Sequence, residues 1–393
     1  MTRSVTLANE DAGMFVMRRT AVLIVLALSL QALLLCTAAA RASTVVVGIN
    51  MTNPRWLSVA DQNAMLDQMQ AAGVRVIRCG ITPDDKGVDF AKRALARGIK
   101  IELLVGFGGY LPGAPTRPYQ PAVWPGMWSG HPLSYADPDQ FRTYFQSILD
   151  KLDAQGITLA GFELGNEINW TAFNPEFPLP GEGKHVLSLD DLYHDPEGMQ
   201  IAKGYRQYLK LLAVLKDVRD HSKLNAKTPI ISAGLIDAEQ GDLAGSKVDA
   251  AAFSATIDFM RANGLDDLVD GYGIHLYPNP NPKTPEDKRL TPLEQQTFDK
   301  ECQPAGSAIG KPCWITEWGV PNTDTSCPPN ETDRTLVVQQ LVDLFHQYAQ
   351  QGRLGGMLMF TWNSSPGETH VDRMAVFRCG ELTKPGQLAI API

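Results

Sequence analysis

Gly161-Phe162-Glu163-Leu164-Gly165-Asn166-Glu167-Ile168-Asn169-Trp170 is the stretch on which the reading of this chain turns. A strand-like run ends there on an amide beside an acid. An acid at a strand tip finishes a core element badly, but it holds a proton donor well at the mouth of a pocket. Asn166 and Glu167 are neighbours, and a regular pleat sends neighbours to opposite faces. If both address one ligand, a bulge or a sharp strand end is expected here. Glu163 then faces the interior, where it needs a partner such as Arg78 or a buried water. The same grammar recurs further along as Trp314-Ile315-Thr316-Glu317-Trp318-Gly319.

Working outward, eight short apolar or β-branched runs are found: Val45–Asn50, Val74–Ile81, Ile99–Phe107, Ile157–Glu167, Pro229–Ile236, Gly271–Tyr277, Cys313–Trp318 and Gly356–Trp362. Amphipathic helical segments separate most of them, among them Ser58–Ala72, Pro138–Gln155, Met199–His221, Ala250–Asn263 and Glu331–Gln351. In Met199–His221 the apolar residues Tyr208, Leu211, Leu212 and Leu215 keep helical spacing. Glycines follow five helical segments, as left-handed end caps do. Repeated strand-helix alternation predicts an α/β fold, a single-domain (β/α)8 TIM barrel. The rival, a doubly wound open sheet, calls for a glycine-rich phosphate turn after the first strand, and Gly48-Ile49-Asn50-Met51-Thr52-Asn53 is not one. The long connections 108–137, 170–198 and 278–291 all follow strands. In a barrel this places the elaborate loops on the carboxyl-terminal rim, where sites are built.

Glu167 and Glu317 are expected at the ends of the fourth and seventh strands, across the mouth from each other. Two facing carboxyls can divide labour: one donates a proton to a leaving oxygen, the other attacks carbon. A single rim acid is more simply a surface ion pair; two at opposed strand tips favour chemistry. Arg78 closes the second strand and needs a carboxylate, with Glu317 the natural partner. His275 and Tyr277 alternate on the sixth strand and so share a face. Trp362 follows the eighth strand. Six of the seven tryptophans, Trp56, Trp124, Trp128, Trp170, Trp318 and Trp362, lie at or beyond a strand's carboxyl end. Aromatic faces suit the apolar faces of sugar rings, so Trp170, Trp318 and Trp362 are candidate sugar contacts.

Phe162-Glu163-Leu164-Gly165-Asn166-Glu167 resembles the Asn-Glu motif on strand four of the clan A retaining glycoside hydrolases, and Ile315-Thr316-Glu317-Trp318-Gly319 resembles their strand-seven nucleophile motif, families 5 and 39 being nearest. The resemblance runs from Val45 to about Asn363 through spaced motifs. It implies a glycosidase working by double displacement, with Glu167 as acid/base and Glu317 as nucleophile. It further implies that Asn166 binds the sugar 2-hydroxyl, that Arg78 and Tyr277 hold the nucleophile, and that Trp362 floors the subsite at the cleaved bond; His275, on the same strand face as Tyr277, is expected to contact the substrate. Ile168 stands where many relatives have proline, and Phe107-Gly108-Gly109-Tyr110 lacks the histidine some carry. No metal or organic cofactor is expected. Two rival functions remain: a non-catalytic carbohydrate-binding barrel, and a metal-dependent hydrolase using His275 with carboxylates, against which the missing His-x-His pair speaks.

Residues 1–42 read as a signal peptide: Arg18 and Arg19 precede the apolar run Ala21 to Leu35, and Ala40-Arg41-Ala42 is a small-x-small cleavage site. The run is short for a membrane span. An exported protein, periplasmic or extracellular, is expected, with the domain over 43–393 and a monomer as the default. Removing the leader takes four basic and two acidic residues and leaves 31 basic and 41 acidic. That acidity argues against nucleic acid or anionic lipid and fits a neutral or cationic substrate better; the partner expected from the motifs is a carbohydrate. Five cysteines remain. Cys302 and Cys313 flank a short loop and are expected to pair; Cys327 with Cys379 is the second candidate pair, and Cys79 is expected to stay a buried thiol.

Overall fold

The computed structural model describes residues 45–124, 126–238, 248–324, 326–363 and 373–393. The expected leader and its cleavage site lie outside the described residues.

Eight strands, β1 (Val46–Asn50), β2 (Val76–Cys79), β3 (Lys100–Val105), β4 (Gly161–Leu164), β5 (Ile230–Ile231), β6 (Tyr272–Leu276), β7 (Cys313–Trp318) and β8 (Leu354–Met359), pair in the order β5-β4-β3-β2-β1-β8-β7-β6. Every ladder in this sheet is parallel. The parallel bridges Ile231↔Gly271 and Leu235↔Ile274 join β5 to β6 and close the ring. Each strand is followed by a helix: α1 (Val59–Ala72), α2 (Asp85–Ala96), α3 (Pro138–Ala154), α4 (Pro196–Asp220), α5 (Phe253–Ala262), α6 (Pro292–Lys300), α7 (Thr332–Gln350) and α8 (Lys384–Ala389). The expected (β/α)8 barrel is the observed one.

Local chemistry explains the helix ends. Ser58, Asp84 and Asp137 cap α1, α2 and α3 by accepting backbone N–H bonds, and Thr291 and Glu294 form a capping box on α6. Gly73, Gly98, Gly156, Gly264 and Gly352 all take positive φ where helices end. Among the boundaries that differ from the sequence reading, two are set by local pairing. The fifth strand is two residues long, because beyond Ile231 the chain only bridges its neighbours. Helix α5 begins at Phe253 rather than Ala250, because Ala250–Ala251 pair in parallel with Val186–Leu187 and tie the loop after β4 to the loop before α5.

The core has two parts. Outward-facing strand residues pack under the helices with Phe141, Phe145, Leu211 and Leu215, each such side chain worth about 1.5–3 kcal/mol when buried. Inside the ring, Trp314 forms an apolar floor with Val76, Ile231 and Leu358. The indole fits because its neighbours are small: a Cβ on Gly356 would lie 2.4 Å from it. Above this floor the interior turns polar, with Arg78, Glu102, Glu163 and Thr316 all buried. Cys302–Cys313 and Cys327–Cys379 are disulfides, and Cys79 is a buried thiol.

Candidate active site

The pleat breaks at both acids. On strand four, Gly165 and Glu167 take φ of 78° and 47°. The chain turns there, and Glu167 N–H donates to Gly234 O at 2.8 Å. Asn166 and Glu167 thereby both face the mouth, as the sequence requires. On strand seven the register with β6 jumps from Ile274↔Ile315 to His275↔Glu317, so Thr316 is bulged out of the ladder. Thr316 still points inward, donating to Glu163 at 3.0 Å. Glu317 therefore joins it on the interior side instead of facing the helices.

Glu317 is held by two donors. Arg78 Nη1 donates to its Oε1 at 2.6 Å, and Tyr277 OH to its Oε2 at 2.6 Å. Burial pushes its pKa up, but His275, Arg78 and the Tyr277 hydroxyl outweigh burial and hold it below the usual carboxylate range. Arg78 is itself fixed on every side: Nε to Glu163 at 2.5 Å, Nη1 to Asn50 at 2.9 Å and Nη2 to Asn166 Oδ1 at 2.8 Å. With its oxygen engaged by Arg78, the half-buried Asn166 amide turns its nitrogen away from the guanidinium.

Glu167 is wired differently. Trp170 Nε1 donates to its Oε2 at 2.8 Å, and its Oε1 shares a hydrogen bond with His275 Nδ1 at 2.7 Å. His275 Nδ1 is also 3.7 Å from Glu317 Oε2. Burial pushes the imidazole pKa down; the charges of Glu317 and Glu167 overcome this and leave it raised. One oxygen of each acid and a ring nitrogen of His275 lie within 4.8 Å of one another. That spacing could also accommodate a cation. The hydrogen bonds from Arg78, Tyr277 and Trp170 already occupy the carboxyl oxygens, however, and His275 Nδ1 is bonded to Glu167.

Three expectations need correction. His275 is 2% exposed, so it braces Glu167 rather than offering a face to a sugar. Trp318 is fully buried and packs edge-on against Phe345 of α7, because the Thr316 bulge that brings Glu317 inward turns Trp318 outward. Trp362 is also fully buried, stacked on Phe377 at 4.7 Å, and presents no open platform. Tyr277 is instead the open ring at the mouth, 46% exposed with its hydroxyl turned inward. The sequence reading also omitted Asn50, Glu102 and Gly234. A Cβ on Gly234 would lie 2.1 Å from His275 Nε2, so only glycine leaves that ring its place.

Aromatic rings lead away from Glu167. Trp170 neighbours Phe173 at 6.3 Å, Phe173 neighbours Trp128 at 6.4 Å, and Trp128 stacks on the exposed Tyr119 at 5.6 Å. Arg117 fastens the two loops that carry them, donating to Trp128 O, Ala172 O and Thr171 Oγ1.

No family model matches the chain, and no curated protein matches it in sequence. Solved structures do. A fungal β-1,4-galactanase superposes with a TM-score of 0.50 at 14% identity, over 88% of this chain and 93% of that one. A GH5_18 protein from Streptomyces cattleya in complex with GlcNAc gives 0.52 at 14%, over 88% and 79%. An exo-β-1,4-mannosidase from Opitutaceae bacterium strain TAV5 gives 0.51 at 15%, over 90% of this chain but only 59% of its own. The barrel is shared with glycosidases. At such identities the likeness is one of fold, and the chemistry has to be argued from the side chains.

Proposed function

We propose that this protein is a retaining β-glycosidase, with Glu317 as nucleophile and Glu167 as acid/base. The observation that carries the reading is that one oxygen of each carboxyl lies within 4.8 Å of the other, which places the groups near each other rather than across a wide gap. Retaining glycosidases keep their carboxyls about 5–5.5 Å apart, whereas inverting ones need about 6.5–9.5 Å to admit a water. Ionised Glu317 attacks the anomeric carbon. The glycosidic C–O bond breaks, its electron pair stays on the leaving oxygen, and Glu167 gives that oxygen its proton. Glu317 is now an ester without charge, so Glu167, as carboxylate, takes a proton from water. The water oxygen attacks the same carbon, the ester bond breaks, and both acids return to their starting states. Asn166 donates to the 2-hydroxyl, and Tyr277 supplies both a donor to Glu317 and an open ring for the sugar.

The substrate is an oligosaccharide or polysaccharide. The proton donor marks the leaving-group side, and the row from Trp170 to Tyr119 starts at that donor. Rings at such spacing offer successive stacking surfaces to further sugar units. Export to the periplasm or beyond is part of the proposal, supported by two disulfides, which persist in oxidising compartments.

A 2-fluoro-glycoside inactivator with an activated leaving group is expected to form a stable adduct on Glu317, located by peptide mass spectrometry. A panel of aryl β-glycosides that yields neither turnover nor adduct would leave a non-catalytic carbohydrate-binding barrel. Activity lost in chelator and restored by a divalent ion would point to the metal-dependent alternative. Trp128→Ala is expected to raise KM for long chains severalfold and leave a small aryl glycoside unaffected.

A further inference from the structure

Beneath the two acids lie two more buried carboxyls, Glu102 on β3 and Glu163 on β4, both without exposure. Their surroundings are unequal. Glu163 receives three donors: Arg78 Nε at 2.5 Å, Gly234 N–H at 2.7 Å and Thr316 Oγ1 at 3.0 Å. Among the described residues, neither oxygen of Glu102 receives a donor. Its cationic neighbour, Arg78 Nε, stands off at 3.6 Å and is already bonded to Glu163. The same guanidinium also serves Glu317. One cation thus faces three buried carboxyls. A carboxylate removed from water with no donor costs several kcal/mol, and it escapes that cost by keeping a proton.

We propose that Glu102 is a neutral acid in the working protein, that its O–H donates to Glu163, and that this makes it a positioning residue for Arg78 and, through Arg78, for Glu317. The groups facing it are Arg78 and Cys79 from β2, Glu163 from β4 and Glu317 from β7. Burial, then the charge of Glu163, push the Glu102 pKa well above the usual carboxylate range, against the pull of Arg78. Cys79 adds no charge, since burial holds its thiol up as well. With Glu102 neutral, Arg78 balances two carboxylates, one on each side of its fork. An ionised Glu102 would compete for Nε and draw the guanidinium down from Glu317. The effect on turnover rests on the glycosidase reading; the proton on Glu102 does not.

The decisive measurement is infrared. In Glu167→Gln, which removes the proposed catalytic acid, the carbonyl stretch of a buried carboxylic acid is expected to persist at neutral pH. It is expected to vanish in the Glu102→Gln/Glu167→Gln double variant. Glu102→Gln alone replaces a neutral donor with a neutral donor. It should leave the acidic limb of the pH profile in place. Its melting temperature should match the parent's near about pH 5 and exceed it increasingly towards about pH 8, because a raised carboxyl pKa contributes stability at low pH that is lost as pH rises. Absence of the acid band in Glu167→Gln would overturn the proposal. So would a Glu102→Gln variant that loses activity a hundredfold, shifts its acidic limb or fails to fold. The infrared result on Glu167→Gln does not depend on catalysis, so it separates failure of this inference from failure of the glycosidase assignment.

Discussion

Glu167 and Glu317 are buried to the same degree, at 7% exposure each, and each makes two hydrogen bonds through its carboxyl oxygens. What differs is whether the positive charge beside each acid is permanent. Glu317 faces a guanidinium that cannot deprotonate, itself locked by Glu163, Asn50 and Asn166. Glu167 faces an indole N–H, which is neutral, and an imidazole that it shares with Glu317. Equal burial alone would make two equivalent carboxyls. The permanent positive charge beside Glu317 favours the anion there, and it is on this asymmetry that the proposed roles of the two acids rest. Division of labour between like residues is thus set by the wiring of the polar layer beneath them.

Exchanging the acids' charges should break this comparison most severely. Glu317→Gln removes the proposed nucleophile and is expected to lower kcat by about 10⁴-fold or more on every substrate. Glu167→Ala should cost about 10²–10⁴-fold on substrates with poor leaving groups, yet little in the first step on an activated aryl glycoside. In that variant added azide should restore turnover and give a glycosyl azide of retained configuration. If the two variants behaved alike across leaving groups, the asymmetry drawn from the donors would be wrong.

Arg78→Lys tests the fork geometry with the charge kept. A lysine keeps the positive charge but cannot span Glu163, Asn166 and Glu317 together. A loss of about 10²-fold in kcat is expected, with a fall in melting temperature from the unfilled bonds of Glu163. Full activity in Arg78→Lys would mean that the fork geometry is irrelevant to Glu317.

Much of this site was legible because parallel strands converge at their carboxyl ends. Arg78, Asn166, Glu167, His275, Tyr277 and Glu317 are all strand-end residues, and a barrel brings such residues to one rim. Glu163 could be placed because Asn166-Glu167 demanded a broken pleat. The failures have equally local causes. Counting the pleat from Trp314 puts Trp318 inside and Glu317 outside; the Thr316 bulge reverses both, and no residue type in Ile315-Thr316-Glu317 announces it. Trp362 is covered by Phe377, a residue brought back by the C-terminal segment, a contact no local pattern encodes. Glu102 did leave a signal, an acid inside the apolar run Ile99–Phe107. Its meaning needed Arg78 beside it in register, and the ladder supplies that pair.

The smallest expected effect is also the most diagnostic of what holds Glu317 ionised. Tyr277→Phe removes one of its two donors but leaves the Arg78 charge and the ring. The loss of one hydrogen bond to a charged group corresponds to about tenfold in kcat/KM. The pH profile carries the sharper information. The Tyr277 hydroxyl is among the groups holding the Glu317 pKa low, so the parent keeps Glu317 ionised as pH falls into the lower carboxylate range. Without the hydroxyl, the folded-state pKa rises towards its ordinary value. Protonation then begins at a higher pH, and the acidic limb of kcat/KM must move upward. The stability that Glu317 contributes above its unfolded pKa should likewise fade earlier as the solution is acidified. A limb that stayed put while the rate fell would make Tyr277 a sugar contact alone. Arg78 and His275 would then carry the whole difference between the two acids.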